Sequence, residues 1–331
     1  MDRYKLKKAE LHLHLDGSLR PETVMELAKK DGIELSANNI DDVKKLLQVD
    51  EDNKDLVEYL KKFSLPIKLM QNKENIKRIA FELVEDLAKE NYVYAEIRFA
   101  PQLHLEQGLS LEEVVESVKE GILEAECIYD IEVNILLCIM RHLAVEKSFE
   151  ILELAEKFAG QKVVGIDLAG DEFNYSALLF KEVFNKALDR KIPFTIHAGE
   201  ARGVESIREA IDCGAKRLGH GIRAFEDEEL MRELKDKKIS LECCPISNYN
   251  TQAIPDFYKY PLKKYIQEGL KACLNTDNRT VSNTNYIKEL EFLDKFNPLN
   301  EEEIKMASKN AIEGAFIGEI RKLELLKKLD I

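Results

Sequence analysis

The chain has 331 residues, 45% hydrophobic and 34% charged, enough for one barrel-sized domain or two smaller ones, and because no linker-like stretch interrupts it a single domain over 1–331 is expected. Its formal net charge of −13 disfavours nucleic-acid backbones and anionic membranes as partners, while leaving a neutral nucleoside or base open. No apolar run is long enough to span a bilayer, no room precedes His12 for a signal peptide, and six irregularly spaced cysteines do not make a disulfide framework, so a cytoplasmic protein is expected.

The first strand carries His12 and His14, alternating with Leu11, Leu13 and Leu15. Positions two apart on a strand point to one face, so two imidazoles stand side by side and can chelate a metal. An edge strand with polar residues facing out would read the same way. Asp16-Gly17-Ser18 ends the strand, and Pro21 opens a helix over 21–30 that stops near Gly32. Residues 41–91 read as helical and amphipathic. Within them Leu56, Tyr59, Leu60 and Phe63 recur at i, i+3, i+4 and i+7, either as core or as a lid between strands one and two.

Further strands are expected at 92–100, 134–140, 163–168, 192–196, 216–218, 239–244 and 270–274. Ser110 and Glu113 form a capping box for a helix reaching about residue 129, another helix stops at Gly214, and Asn300 to Glu303 caps one of the last. Adjacent Cys243 and Cys244 suit a reduced core. Apolar strands alternating with helices argue a parallel sheet, and eight such units argue an α/β fold of the (β/α)₈ barrel type with additional helices. An open doubly wound sheet is the alternative, weakened because no G-x-G-x-x-G follows the first strand.

Polar residues gather at the C-terminal ends of these strands, the face that carries active sites in this fold. His12 and His14 lie on strand one, His197 at the end of strand five, His220 after strand six and Asp277 after strand eight. Barrel closure sets strand eight beside strand one, so His12, His14, His197 and Asp277 can share one metal ion with a position left for water. Glu200, three residues past His197, can carry a proton, and His220 can orient the water. Singly, each has a plain alternative: His197 as a core histidine, Asp277 as a helix cap, Glu200 as a helix-start residue, His220 as a turn residue. Together at one barrel end they are hard to assign to packing. His104 and His142 fall outside the pattern and are expected to be structural. A His-x-Glu with Pro-Cys-x-x-Cys, a P-loop and a G-x-S-x-G elbow are all lacking.

The motifs His12-Leu13-His14-Leu15-Asp16-Gly17, Asp167-Leu168-Ala169-Gly170-Asp171-Glu172 and His197-Ala198-Gly199-Glu200 occur in that order. Leu218-Gly219-His220-Gly221, Cys244-Pro245-Ile246-Ser247-Asn248 and Asn275-Thr276-Asp277 follow. This series resembles the adenosine deaminase family of the metal-dependent amidohydrolase superfamily nearly end to end. The resemblance implies one zinc ion per chain on His12, His14, His197 and Asp277. It implies that Glu200 protonates purine N1 while the attacking hydroxide is held by His220 and Asp277, so that adenosine or 2′-deoxyadenosine becomes inosine and ammonia. Gly170 would face purine N3, Asp16 the ribose 5′-hydroxyl, and Leu56, Tyr59, Leu60 and Phe63 would form an apolar lid. Asn278 stands where the family often has a second Asp toward N7; a neutral amide can donate there directly. Adenine or another aminopurine is the alternative substrate. A two-metal hydrolase lacks its bridging lysine at the end of strand four, and a non-catalytic binding protein has no need of Glu200 and His220.

Overall fold

A computed structural model describes residues 5–50, 53 and 55–329. Eight parallel strands form one sheet in sequence order: β1 (Lys8–His14), β2 (Tyr92–Phe99), β3 (Glu132–Met140), β4 (Val163–Ala169), β5 (Phe194–Ala198), β6 (Arg217–His220), β7 (Ser240–Cys243) and β8 (Lys271–Leu274). Helices fill the connections, as parallel pairing requires, and the architecture is the expected (β/α)₈ barrel. The barrel is nearly closed. Between β8 and β1 one parallel bridge, Leu13 to Asp277, joins the edges, with His14 N donating to Asp277 O at 2.7 Å and Asp277 N to His12 O at 2.9 Å. Side chains complete this seam: Asn275 Oδ1 accepts from Leu11 N at 2.9 Å, and the Glu10 carboxylate accepts from the backbone and hydroxyl of Thr276. The seam that shuts the barrel therefore also fixes His12, His14 and Asp277 relative to one another.

Strand bounds depart from the sequence expectations by one or two residues, for local reasons. The fifth strand starts at Phe194 and not at 192, because Pro193 has no N–H to give the ladder; the sixth runs on to His220 itself. Residues 41–91 form separate helices, Ile40–Leu47, Leu56–Leu60, Ser64–Leu69 and Lys73–Lys89, with a 3-10 turn at Lys61–Phe63. Asn39, Asp55 and Asn72 begin three of them by accepting a backbone N–H with the side chain. The capping boxes at Ser110 and Asn300 are formed. The first of these helices ends at Glu126, and β3 begins at Glu132. Cys243 and Cys244 are buried and free.

The barrel interior carries charge where most barrels stack aliphatic side chains. Arg98 on β2 reaches Asp167 on β4 and Glu242 on β7, each at 2.9 Å, and all three are fully buried. Arg217 on β6 pairs with Glu96 on β2 and Glu242, each at 2.6 Å. Buried charges on this scale persist only when paired and hydrogen-bonded, and removing one partner costs about 3–5 kcal/mol.

Candidate active site

On top of this ionic core, the imidazoles of His12, His14 and His197 bring their nitrogens together. His12, His220 and Asp277 form a second such group that shares His12. His14 Nε2 lies 3.3 Å from His197 Nε2 and 3.4 Å from Asp277 Oδ1, and His12 Nε2 lies 3.2 Å from Asp277 Oδ1. Two ligands on one ion with bonds of about 2.0–2.2 Å come to roughly this separation. His12 Nε2 and Asp277 Oδ1 are buried without a hydrogen-bond partner, so both atoms are spare for an ion. The other ring nitrogens are already committed: His12 Nδ1 is 2.8 Å from Glu242, and His197 Nδ1 is 3.1 Å from Asp167. A carboxylate behind a histidine holds the proton on Nδ1 and turns the Nε2 lone pair outward, the usual support of a metal-binding imidazole. Burial alone would neutralise Asp167 and Glu242. His197 and Arg98 around the first, and Arg98 and Arg217 around the second, hold both carboxyls well below the usual range. Asp277 is likewise buried, and His12 and His14 keep it ionised, while Ser247 Oγ donates to its Oδ2 at 2.6 Å.

Backbone at this rim is strained. His220 has φ of 61° and Asp277 of 60°, left-handed values that only a few per cent of non-glycine residues adopt and that concentrate at functional sites. Gly219 beside them is tightly packed: a Cβ would sit 3.1 Å from the His12 ring and from His197, so these neighbours would have to give by a few tenths of an ångström.

Glu200 is buried, its carboxyl raised to about 8 by burial first and then by the negative charge of Asp277. His220 Nε2 is 3.3 Å from its Oε2, and Thr251 Oγ1 donates to its Oε1 at 3.0 Å. The turn that carries it is clamped by Glu172, which accepts from the backbone N–H of Gly199 at 2.7 Å, Glu200 at 3.0 Å and Ala201 at 2.8 Å.

A cavity of about 260 Å³ opens on these groups. His14, His197, Glu200, His220 and Asp277 line it together with Asp16, Gly170 and Asn278. Leu56, Tyr59, Leu60 and Phe63 line it as well, so the stripe read from the sequence is a wall of the cavity and forms a small hydrophobic cluster apart from the main core. Burial raises the Asp16 carboxyl to about 7. Asn278 is buried with its Oδ1 unpaired, and Gly17 packs so closely on its amide that a Cβ would lie 1.9 Å from Oδ1. His104 is fully buried against Phe99, and burial lowers its ring to about 4. His142, expected to be structural, is exposed and lines the cavity wall.

Sequence reasoning singled out none of Arg98, Glu242 or Thr251 as functional, and quoted Asp167, Glu172 and Asn248 only within a motif. A signal for the strand residues was available: charge at every second position of an otherwise apolar strand, as in Glu96-Ile97-Arg98, marks the barrel interior.

Comparison with known proteins matches residues 7–331 to the family described as adenosine deaminase. The adenosine deaminase of Clostridium perfringens is 44% identical, covering 100% of this chain and 99% of that one. That of Clostridium botulinum strain Okra is 45% identical, covering 99% and 98%. Among solved structures, the adenine deaminase from Arthrobacter aurescens superposes with a TM-score of 0.89 at 26% identity, covering 98% of both chains. The N6-mAMP deaminase of Arabidopsis does so at 0.87 and 29%, covering 99% of this chain and 98% of that one. By sequence over its whole length and by fold, the chain belongs to the adenosine deaminase family.

Proposed function

We propose that the chain hydrolyses the 6-amino group of adenosine and 2′-deoxyadenosine, giving inosine or its deoxy form and ammonia, as a cytoplasmic enzyme of purine salvage that acts as a single domain with one zinc ion. The observation that carries this reading is the meeting, in one cavity, of spare imidazole and carboxylate atoms, a buried acid and an apolar wall. His12, His14, His197 and Asp277 would hold the ion, which when bound supplies Lewis acidity and makes a water nucleophilic near neutral pH. No transfer in this reading needs a nucleic acid or a membrane; among the described residues no helix is long and apolar enough to cross one.

Glu200, raised to about 8, holds a proton at neutral pH and would give it to purine N1, leaving C6 open to attack. His220 and Asp277 would orient the attacking water. Leu56, Tyr59, Leu60 and Phe63 would cover the purine, Gly170 would meet N3, and the Asp16 carboxyl would take the 5′-hydroxyl. Asn278 would donate its amide to N7.

Adenosine, adenine and a simple ester incubated with zinc-loaded protein decide the substrate. Loss of the adenine-ring absorbance from adenosine alone is expected; faster loss from free adenine would replace the nucleoside by the base. Replacing N7 by C–H, as in 7-deazaadenosine, leaves the Asn278 amide unpaired, at a cost of about 1–3 kcal/mol in kcat/KM. Equal kcat/KM for the two nucleosides would remove Asn278 from the site.

A further inference from the structure

We infer that Asn248 fixes the tautomer of His220, so that this imidazole meets the reaction as an Nε2–H donor and not as a proton-accepting base. The inference rests on the active-site reading above and concerns a residue outside the cavity wall.

Asn248 is completely buried on the short helix Pro245–Asn250, which follows β7. Its Nδ2 lies 3.1 Å from His220 Nδ1 and 3.5 Å from Glu200 Oε1. Tyr260, itself buried, donates its hydroxyl to Asn248 Oδ1 at 2.9 Å. These partners orient the amide. With Nδ2 toward the site, its two protons face two acceptors and the phenol supplies the proton that Oδ1 needs. Turned over, the amide would set its oxygen against Glu200 Oε1, an oxygen that already accepts from Thr251.

A donor facing Nδ1 requires a lone pair there. That excludes both the Nδ1–H tautomer and the imidazolium, and it puts the ring proton on Nε2. Nε2 is the nitrogen that faces Glu200 Oε2, at 3.3 Å, and an N–H there donates to a lone pair of that oxygen. The same helix anchors the rest of the site, since Ser247 Oγ donates to Asp277 and Thr251, just past its end, to Glu200. Glu289 holds the first turn of this helix by accepting from Ile246 N at 3.0 Å.

The proton balance then changes. When water attacks C6, one O–C bond forms and one water proton must leave. His220 Nε2 already carries a proton and has no lone pair to take it. Glu200, emptied by its transfer to N1, accepts that proton and passes it to the departing amine as the C–N bond breaks; the remaining hydroxyl proton returns to Glu200 as the C6 carbonyl forms, which restores the starting acid. His220 contributes a hydrogen bond to the oxygen that gains negative charge, and Asn248 is a positioning residue that keeps that hydrogen bond in place.

Ring protonation can be read directly. Zinc-loaded protein labelled with ¹⁵N-histidine, with His220 assigned by the signal lost in His220→Gln, is expected to show a protonated Nε2 and a bare Nδ1. A protonated Nδ1, alone or with Nε2, overturns the inference. The spectrum needs no turnover, so a protein with this signature that ignored adenosine would count against the proposed substrate only. Asn248→Asp keeps the shape and sets an acceptor against Nδ1. It should move the proton to Nδ1 and lower kcat at least about 10²-fold, with KM within about threefold and the zinc content unchanged. A merely structural Asn248 would tolerate the isosteric Asp better than Ala; the inference requires the reverse order. If Asn248→Asp does not fold, Tyr260→Phe frees the amide to turn and should give the His220 signal mixed protonation. An unchanged signal in Tyr260→Phe would count against the orienting role given to the phenol.

Discussion

On the barrel side of the cavity His12 and His197 are each backed by a carboxylate, and both carboxylates close on one guanidinium, Arg98. On the other side Leu56, Tyr59, Leu60 and Phe63 form a cluster separate from the main core, with the Tyr59 hydroxyl 2.7 Å from Ser282 Oγ at the rim. The first wall is built of directional contacts in a dry interior, where a small displacement leaves a charge unpaired. The second is built of non-directional apolar contact, which can part and re-form at small cost. The contrast matches two tasks: a metal ion and a proton donor need fixed geometry, while a substrate must enter and leave.

If the contrast is right, damage to the barrel side should strike chemistry and metal, and damage to the lid should strike binding. The largest effect is expected from His197→Ala. It removes one imidazole of the proposed ligand set, and elemental analysis after dialysis should show zinc falling from one ion per chain toward none, with turnover lost. Full zinc retention in this variant would break the ligand assignment. Glu200→Gln comes next: metal and purine binding stay, and kcat drops by about 10²–10⁴, the usual worth of a positioned proton donor. Near-normal turnover there would falsify the proton-donor role.

Arg98→Lys tests the frame beneath the ligands. A lysine keeps the buried charge but cannot hold Asp167 and Glu242 at once, as the planar guanidinium does. Loss of such outer support weakens metal binding by about 10–100-fold. Titration with a zinc chelator should reveal that shift even while the folded signal by circular dichroism is kept. Unchanged zinc affinity would mean that the carboxylates orient the histidines without Arg98.

The two walls were also unequally legible in the sequence. His12, His14, His197, His220 and Asp277 stood out because each is a polar residue at the C-terminal end of an apolar strand, and the eight-fold alternation of strand and helix gave the barrel. The stripe could be read as a face, but spacing alone left core and lid both open, because helical spacing looks alike whether the face meets a core or a cavity; only the family resemblance favoured a lid. The frame under the histidines was unreadable as a set of pairs: Arg98 finds Asp167 sixty-nine positions on and Glu242 one hundred and forty-four positions on, and only barrel closure brings them together. Glu172 was hidden differently. Its role is to accept backbone N–H groups, which carry no mark in the sequence.

The smallest effect belongs to the lid. Tyr59→Phe keeps the ring that packs on Leu56 and Val281 and deletes only the hydroxyl facing Ser282. A neutral hydrogen bond of this kind is worth about 0.5–1.5 kcal/mol. If this wall closes over bound purine as proposed, losing the bond favours an open form by that amount at most, and substrate binding weakens by the same factor. KM for adenosine should therefore rise by up to about tenfold. Ser247, Asn248 and Thr251 hold Asp277, His220 and Glu200 through their own hydrogen bonds, so kcat should stay within about twofold. The measurement is a pair of saturation curves, parent against Tyr59→Phe. A fall in kcat at constant KM would show the tyrosine coupled to the chemistry, and the separation of a rigid catalytic wall from a compliant covering one would then fail at this residue.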